Sequence, residues 1–437
     1  MGALPGILLL IIGLLVSVGL HELGHLVPAK KFGVKVSQYF IGFGPTLWSV
    51  TRGGTEYGIK AIPLGGYVAL AGMLAPAKAG TPTHKNGQLT MAEEARRASA
   101  AELEPGEEDQ AFWRLPAWQK LVVMCGGPVM NLVLAAVLLA VVFVGIGTPQ
   151  LTNTVGAITP CVNAEASSTP SDGTCDADNP PSPASRSDLQ LGDSIVTWGG
   201  IPTTNWHELS AAIASGGSDP VIAEVVRDGR QIDVVIEPVT VTKPVLDAGQ
   251  PVYDDAGDPL THDVPYVGIS PASQRERQPI TAVPGATWDF AVGTGKVVLA
   301  LPVHLWNTLT DLITGAERDH TGVIGIVGVA DIAGNITATD NATYGLTDRA
   351  GDLLLLLVGL NMSLFVFNMI PLLPLDGGHI LGALIEGTRR QIARMRGTAD
   401  PGPFDTARLL PLSQVVIIAL IAMTVLLVVA DIANPIR

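Results

Sequence analysis

The residues with most chemistry in this 437-residue chain are five in a row, His21-Glu22-Leu23-Gly24-His25. On a helix, positions i and i+4 share a face, so the two imidazoles point the same way with a carboxylate beside the first. Two neutral imidazole nitrogens suit zinc, and the carboxylate can take a proton from a water that the metal activates. The plainer reading is a helix with two incidental histidines. Its setting weighs against that, because the motif lies in an apolar run from Ala3 to Val27. Ionisable groups at membrane depth cost about 2.5–3.5 kcal/mol each on insertion scales, and so default to a functional reading.

A second constellation lies far downstream: Phe367-Asn368-Met369-Ile370-Pro371-Leu372-Leu373-Pro374-Leu375-Asp376-Gly377-Gly378-His379. Prolines break the helix and glycines free the backbone, which predicts a carboxylate, Asp376, on an irregular, protein-lined segment near membrane depth. His379 is a competing ligand or a support for one.

The elements that carry these residues follow from composition. With 47% hydrophobic and 15% charged residues and mean hydropathy +0.38, the chain reads as an α-helical polytopic membrane protein. A net charge of -14 argues against a nucleic-acid partner. Three cysteines make neither a disulfide scaffold nor a Cys-based zinc site. The first apolar run has no Lys or Arg before it and Lys30 and Lys31 after it, the wrong polarity for a cleaved signal. It predicts a retained span (1–30), broken near Pro28, with its N-terminus outside and the histidines towards the cytosolic end.

Residues 31–115 read as cytosolic-side β-hairpins, from Val36 to Leu70 with Gly65-Gly66 at a turn, then an Ala/Pro-rich charged insertion. An unpaired strand edge there would accept an extended peptide. A second span (116–147) runs from about Trp118 to Ile146, with Trp113 and Trp118 as interface anchors. Its Gly126-Gly127-Pro128-Val129-Met130-Asn131 predicts close helix packing, with Asn131 in a structural role.

Residues 148–275 read as one extracytoplasmic β-rich domain. Val221 to Val226 and Gln231 to Ile236 flank an Asp228-Gly229 hairpin turn. The Leu-x-x-Gly-Asp-x-Ile element ending at Ile195 resembles a PDZ domain, which takes a peptide C-terminus or extended peptide by strand addition. Cys161 and Cys175 fall in a Ser/Pro/Asp-rich insertion. If oxidised they would contribute about 3 kcal/mol in the chain-entropy model.

Residues 276–349 read as an interfacial amphipathic helix pair, interrupted by Lys296, His304 and Asp311, with His304 and His320 ordinary interfacial histidines. The third span and its Asp376 element (350–385) run from Leu353 to about Leu373. Arg389, Arg390, Arg394, Arg396 and Arg408 then mark a basic cytosolic loop, and a fourth span, Ser413 to Ala430, completes 386–437. The positive-inside bias thus delivers Asp376 to the same end as His21 and His25.

Together, H-E-x-x-H in the first span, Pro63-Leu64-Gly65-Gly66-Tyr67-Val68, Gly-Pro-x-x-Asn in the second span, the PDZ-like insert and Phe-Asn-x-x-Pro with Leu-Asp-Gly-Gly resemble the site-2 protease family of intramembrane zinc metalloproteases. The single PDZ copy and acidic insertions are similar to its bacterial, actinobacterial branch. One departure is that the second proline is Pro374, two residues before Asp376, where relatives often place it one residue earlier. The resemblance implies a Zn2+ held by His21, His25 and Asp376 with water in the fourth position, and Glu22 as general base. It implies that Asn368 and the strands at Gly65 and Gly66 hold an unwound substrate. It also implies a multi-pass cell-membrane enzyme in the lipid bilayer, cutting single-span proteins such as anti-sigma factors or remnant signal peptides in regulated intramembrane proteolysis. Two other classes fit parts of the chain: a membrane metal transporter, which would show metal flux, and a catalytically silent PDZ-bearing receptor, which would bind peptide without zinc.

Overall fold

The computed structural model describes residues 2–78, 80–85, 88–162, 175, 179–247, 250–251, 259–316, 318, 322–339 and 344–435. His320, and all of 163–178 except Cys175, lie outside them. The chain divides into two units, Met1–Ile146 with Gln278–Arg437, and Gly147–Arg277.

The first unit begins with α1, Leu4–Lys31. The expected break at Pro28 does not occur. Pro28 removes the amide that would have bonded the Gly24 carbonyl, but that carbonyl lies where a Cβ on Gly126 would sit 2.0 Å from it, so the neighbouring helix covers the gap. Two strands follow, β1 (Val36–Arg52) and β2 (Thr55–Leu70), paired antiparallel as a hairpin and longer than the runs read from sequence. They bend back on themselves at Gly42, Gly44 and Gly65, all at positive φ. Gln38 to Ile41 therefore pair with Glu56 to Ile59 on one side and with Gly66 to Ala69 on the other. In the insertion, α2 (Met91–Ala100) is N-capped by Thr90 and tied down by buried Arg96, which donates to both oxygens of Asp405 at 2.8 and 2.7 Å. Next comes α3, Ala117–Ala140, extended to Ile146 by a wider turn.

The second unit is built on a sheet of β3 (Thr148–Ile158), β4 (Ser194–Trp198), β5 (Val221–Arg227), β6 (Arg230–Ile236) and β7 (Ile269–Glu276), in the order β7-β3-β4-β5-β6. Helix α4, Trp206–Ser215, covers it. Alternate strand residues Ile195, Ala223, Val225, Val234 and Ile236 meet Leu209 and Ile213 of the helix and Trp198 in one core. Asp228 and Gly229 both have positive φ, which suits the twist of the β5-β6 hairpin. Beneath the sheet Asp193 is fully buried. Burial pushes its carboxyl up, but Arg227 at 2.7 and 2.6 Å and the Gln190 amide at 2.8 Å outweigh this and hold it below the usual carboxylate range. Cys161 and Cys175 form a disulfide.

The chain returns to the first unit through α5, Ala282–Thr314, and the short α6, Ile326–Ala338. Lys296, His304 and Asp311, read from sequence as interrupting the apolar run, leave the winding of α5 unbroken for 33 residues. At 100° per residue those three side chains fall within an arc of roughly 80°, so they form one polar stripe instead of interrupting the helix. Then come α7 (Leu346–Asn368), α8 (Asp376–Met395) and α9 (Leu410–Ala433). Val358 and Met362 of α7 pack on Ala135 and Leu139 of α3. Asn361 donates to Ser17 of α1 at 2.9 Å, and a buried Lys120-Glu386 pair, 2.8 Å, joins α3 to α8. Among the described residues five helices are long and apolar enough to cross a membrane: α1, α3, α5, α7 and α9. This is one more than the four spans read from sequence, the addition being α5.

Candidate metal centre

The centre is made where α1 crosses α3. Val123, Gly127 and Asn131 recur every fourth residue and form one stripe along α3. Each meets a histidine of α1. The carbonyl of Val123 lies 2.8 Å from His25 Nδ1, and the amide of Asn131 lies 3.0 Å from His21 Nδ1. A Cβ on Gly127 would sit 2.2 Å from His25 Nε2 and 2.7 Å from His21 Nε2. Contact passes from His25 to His21 as α3 advances, so the two helices run antiparallel. They approach backbone to backbone, and a Cβ on Gly24 would lie 2.3 Å from the Gly126 carbonyl oxygen.

Asp376 arrives from the other side. After Asn368 the chain leaves the helix, turns through Met369 to Leu375 and starts α8 at Asp376. The two glycines after it are required by crowding and not by a special φ. A Cβ on Gly377 would sit 2.1 Å from the Ile370 carbonyl oxygen, and one on Gly378 2.5 Å from the Leu373 nitrogen. This tight fold aims Asp376 Oδ2 at the histidines, 3.3 Å from His21 Nε2 and 3.3 Å from His25 Nε2. The two Nε2 atoms are themselves 3.3 Å apart.

This triangle tests whether a metal fits. His25 Nδ1 faces only a carbonyl oxygen, so it carries the proton and the neutral ring leaves a lone pair on Nε2. The same logic at His21 turns the oxygen end of the Asn131 amide towards Nδ1, an orientation reached by a half-turn of the amide. Three lone pairs then converge in a buried space, and Asp376 Oδ2 has no hydrogen-bond donor. Such a cluster repels itself unless a cation sits among the three atoms. Bonds of about 2.0–2.1 Å to a tetrahedral zinc would place neighbouring donors about 3.3–3.4 Å apart, the spacing found here.

A cavity of about 420 Å3 opens from the triangle. Glu22 lines it, as does Val68 of β2. Gly65, Gly66 and Tyr67 of β2 form one wall, while Leu364 and Asn368 of α7 and His379 of α8 form others. All the residues read from sequence as site candidates, His21, Glu22, His25, Gly65, Gly66, Asn368 and Asp376, thus border one space. His379 also borders it but lies outside the three-atom cluster. His304, on α5, takes no part. Sequence reasoning missed Gly127 and gave Asn131 a packing role. The available signal was their four-residue spacing, continued back to Val123, on a helix predicted to pack closely.

The model of Peptidase family M50 matches residues 9–399. The zinc metalloprotease Rip1 of Mycobacterium tuberculosis is 34% identical over 441 residues, covering 99% of this chain and 98% of that protein. Rip1 of Mycolicibacterium smegmatis is 35% identical over 443 residues, 98% of each. The metalloprotease MmpA of Caulobacter vibrioides is 26% identical over 404 residues, 89% of each.

Proposed function

This chain belongs to peptidase family M50, the site-2 proteases, as a multi-pass zinc metalloprotease of the membrane, and from that premise we propose that it cuts single-span membrane proteins within or near their apolar segment. His21, His25 and Asp376 hold the zinc. The observation that carries this reading is the triangle of two imidazole nitrogens and a carboxylate oxygen at 3.3 Å with Glu22 lining the same cavity. When bound, zinc supplies Lewis acidity, bringing the pKa of a water towards about 7 and polarising a carbonyl. Glu22 takes a proton from the attacking water and returns it to the leaving amine nitrogen. Val123 and Asn131 keep the two imidazoles in the tautomer and orientation this requires.

A helical substrate keeps its carbonyls in its own hydrogen bonds and must unwind first. Gly66 to Ala69 pair with β1 through one edge, and the other edge faces the cavity, ready for an extended peptide. A side chain at Gly66 would crowd this wall, its Cβ 2.9 Å from the Phe40 carbonyl oxygen and 3.0 Å from Val18 Cγ1. Asn368 supplies a further polar contact for the unwound segment.

For the membrane we propose four crossings, with α5 lying in the interface. The start of α3 packs on α8 through Ala117 and Gly387, and the stretch before α9 packs there too, Phe404 donating to Glu386 at 3.1 Å. If each crosses once, their far ends share the opposite face. Both ends of α5 are tied to that face: Gln278 donates to Phe143 at 2.9 Å, and Asn434 to Ala316 at 2.8 Å. Lys30, Lys31 and the arginines of 389–408 assign the metal end to the cytosol. The 147–277 unit is then extracytoplasmic and serves as a PDZ-like filter or receptor. Anti-sigma factors and remnant signal peptides are the substrate classes we favour, cut after an external trim.

The test is cleavage by the purified chain in lipid nanodiscs of a single-span substrate supplied intact and trimmed. We expect the trimmed form to be cut, a chelator to stop the reaction and added zinc to restore it. Cleavage that persists in chelator after zinc is removed would overturn the assignment.

A further inference from the structure

A second pocket, of about 300 Å3, lies on the first unit and is lined by Lys78, Arg389, Phe404, Asp405, Arg408 and Leu409. Three of the six are cations. Asp405 is already neutralised, by Arg96 at 2.8 and 2.7 Å and by Arg408 Nε at 3.1 Å. Its effect is to hold Arg408 at the rim. Lys78 Nζ donates to the Pro401 carbonyl at 2.7 Å and keeps two further donors. The ion pairs of this neighbourhood run from Arg390 to Glu386 and Asp400 and from Arg408 to Asp405, and Arg389 has no acidic partner among the described residues. On a chain of net charge -14, this is an excess of positive charge held in a concave site.

Its position points to the ligand. Arg408 and Leu409 form the first turn of the apolar segment Thr406–Ala433, one of those able to cross a membrane. Just beyond, Leu412, Val415 and Ile418 are exposed apolar side chains on α9. A ligand that filled this pocket with an oxyanion and continued along α9 would be an amphiphile with an anionic head. We propose that the pocket binds the phosphate of an anionic phospholipid in the leaflet that α9 enters, with its acyl chains along α9. Arginine suits a phosphate through paired N–H donors, and basic pockets at the ends of spans attract anionic head groups.

The experiment uses the full-length zinc-loaded chain in nanodiscs of phosphatidylcholine and phosphatidylglycerol in equal amounts, with the lipid retained on release counted by native mass spectrometry. We expect retention of phosphatidylglycerol over phosphatidylcholine by about tenfold or more, and near-equal retention in R389Q/R408Q. R394Q/R396Q, with the same charge loss outside the pocket, keeps the preference. Zinc content equal to that of the parent chain reports that both variants are folded. Three results would overturn the proposal: no preference in the parent chain, equal loss in both double variants, or soluble glycerophosphate binding as tightly as the lipid.

Discussion

Where α1 crosses α3 at Gly24 and Gly126, backbone meets backbone; in the 147–277 unit, β4, β5 and β6 are joined to α4 by Trp198, Ile195, Val225 and Ile236. The first contact owes its geometry to what is missing. Gly24 and Gly126 let the two backbones touch, Gly127 leaves room for the two imidazoles, and one methyl group at Gly127 would occupy the space of the ligand atoms. The second is an ordinary core, in which each buried large side chain stabilises by about 1.5–3 kcal/mol and similar volumes interchange at modest cost. A functional centre can thus be more sensitive at its glycines than a core is at its largest residues.

The sharpest way to break this contrast is Gly127→Ala. The added Cβ, 2.2 Å from His25 Nε2, should abolish stoichiometric zinc and with it cleavage, while Gly145→Ala, with nothing within 4 Å of its Cβ, should leave both unchanged. Zinc content by atomic absorption decides it, and full zinc in Gly127→Ala would refute the cradle. Asn131→Ala should act more gently, weakening zinc affinity by about 10- to 100-fold through loss of the support behind His21. A chelator competition measures this, and an unchanged affinity would return Asn131 to the packing role read from sequence.

The smallest effect belongs to the sheet unit and to pH. The carboxyl of Asp193 is lowered in the fold, so its contribution to stability is present above the unfolded value, about 3.9, and is lost as pH falls through the folded one. The protection of β4 to β6 amides against exchange, corrected for the intrinsic rate at each pH, should therefore fall below about pH 4 in the parent chain and respond less steeply in Asp193→Asn. An identical pH response in both would remove the Arg227 pair as its source. Zinc binding by Asp193→Asn at neutral pH should match the parent.

Much of the centre was legible because it depends on spacing. His21 and His25 sit four apart on a helix, and the bias of Lys and Arg placed Asp376 at the same end. The prolines before Asp376 marked the end of α7. What spacing cannot give is the identity of the facing helix. Gly127 and Asn131 matter only because α3 lies against that face of α1, a fact of tertiary packing. The hairpin pairing was legible and the strand length was not: positive φ at Gly42, Gly44 and Gly65 bends two long strands into the short runs that the glycines punctuate. At α5, the common face of Lys296, His304 and Asp311 emerges only when the whole helix is wound.

The central claim is that Glu22 moves the proton while His21, His25 and Asp376 hold the zinc. Glu22→Gln and Asp376→Ala, purified side by side and assayed for bound zinc and for cleavage of a trimmed single-span substrate, separate the two roles. The account predicts that Glu22→Gln keeps its zinc and cuts nothing, whereas Asp376→Ala loses both. Undiminished cleavage by Glu22→Gln, or full zinc in Asp376→Ala, would contradict it.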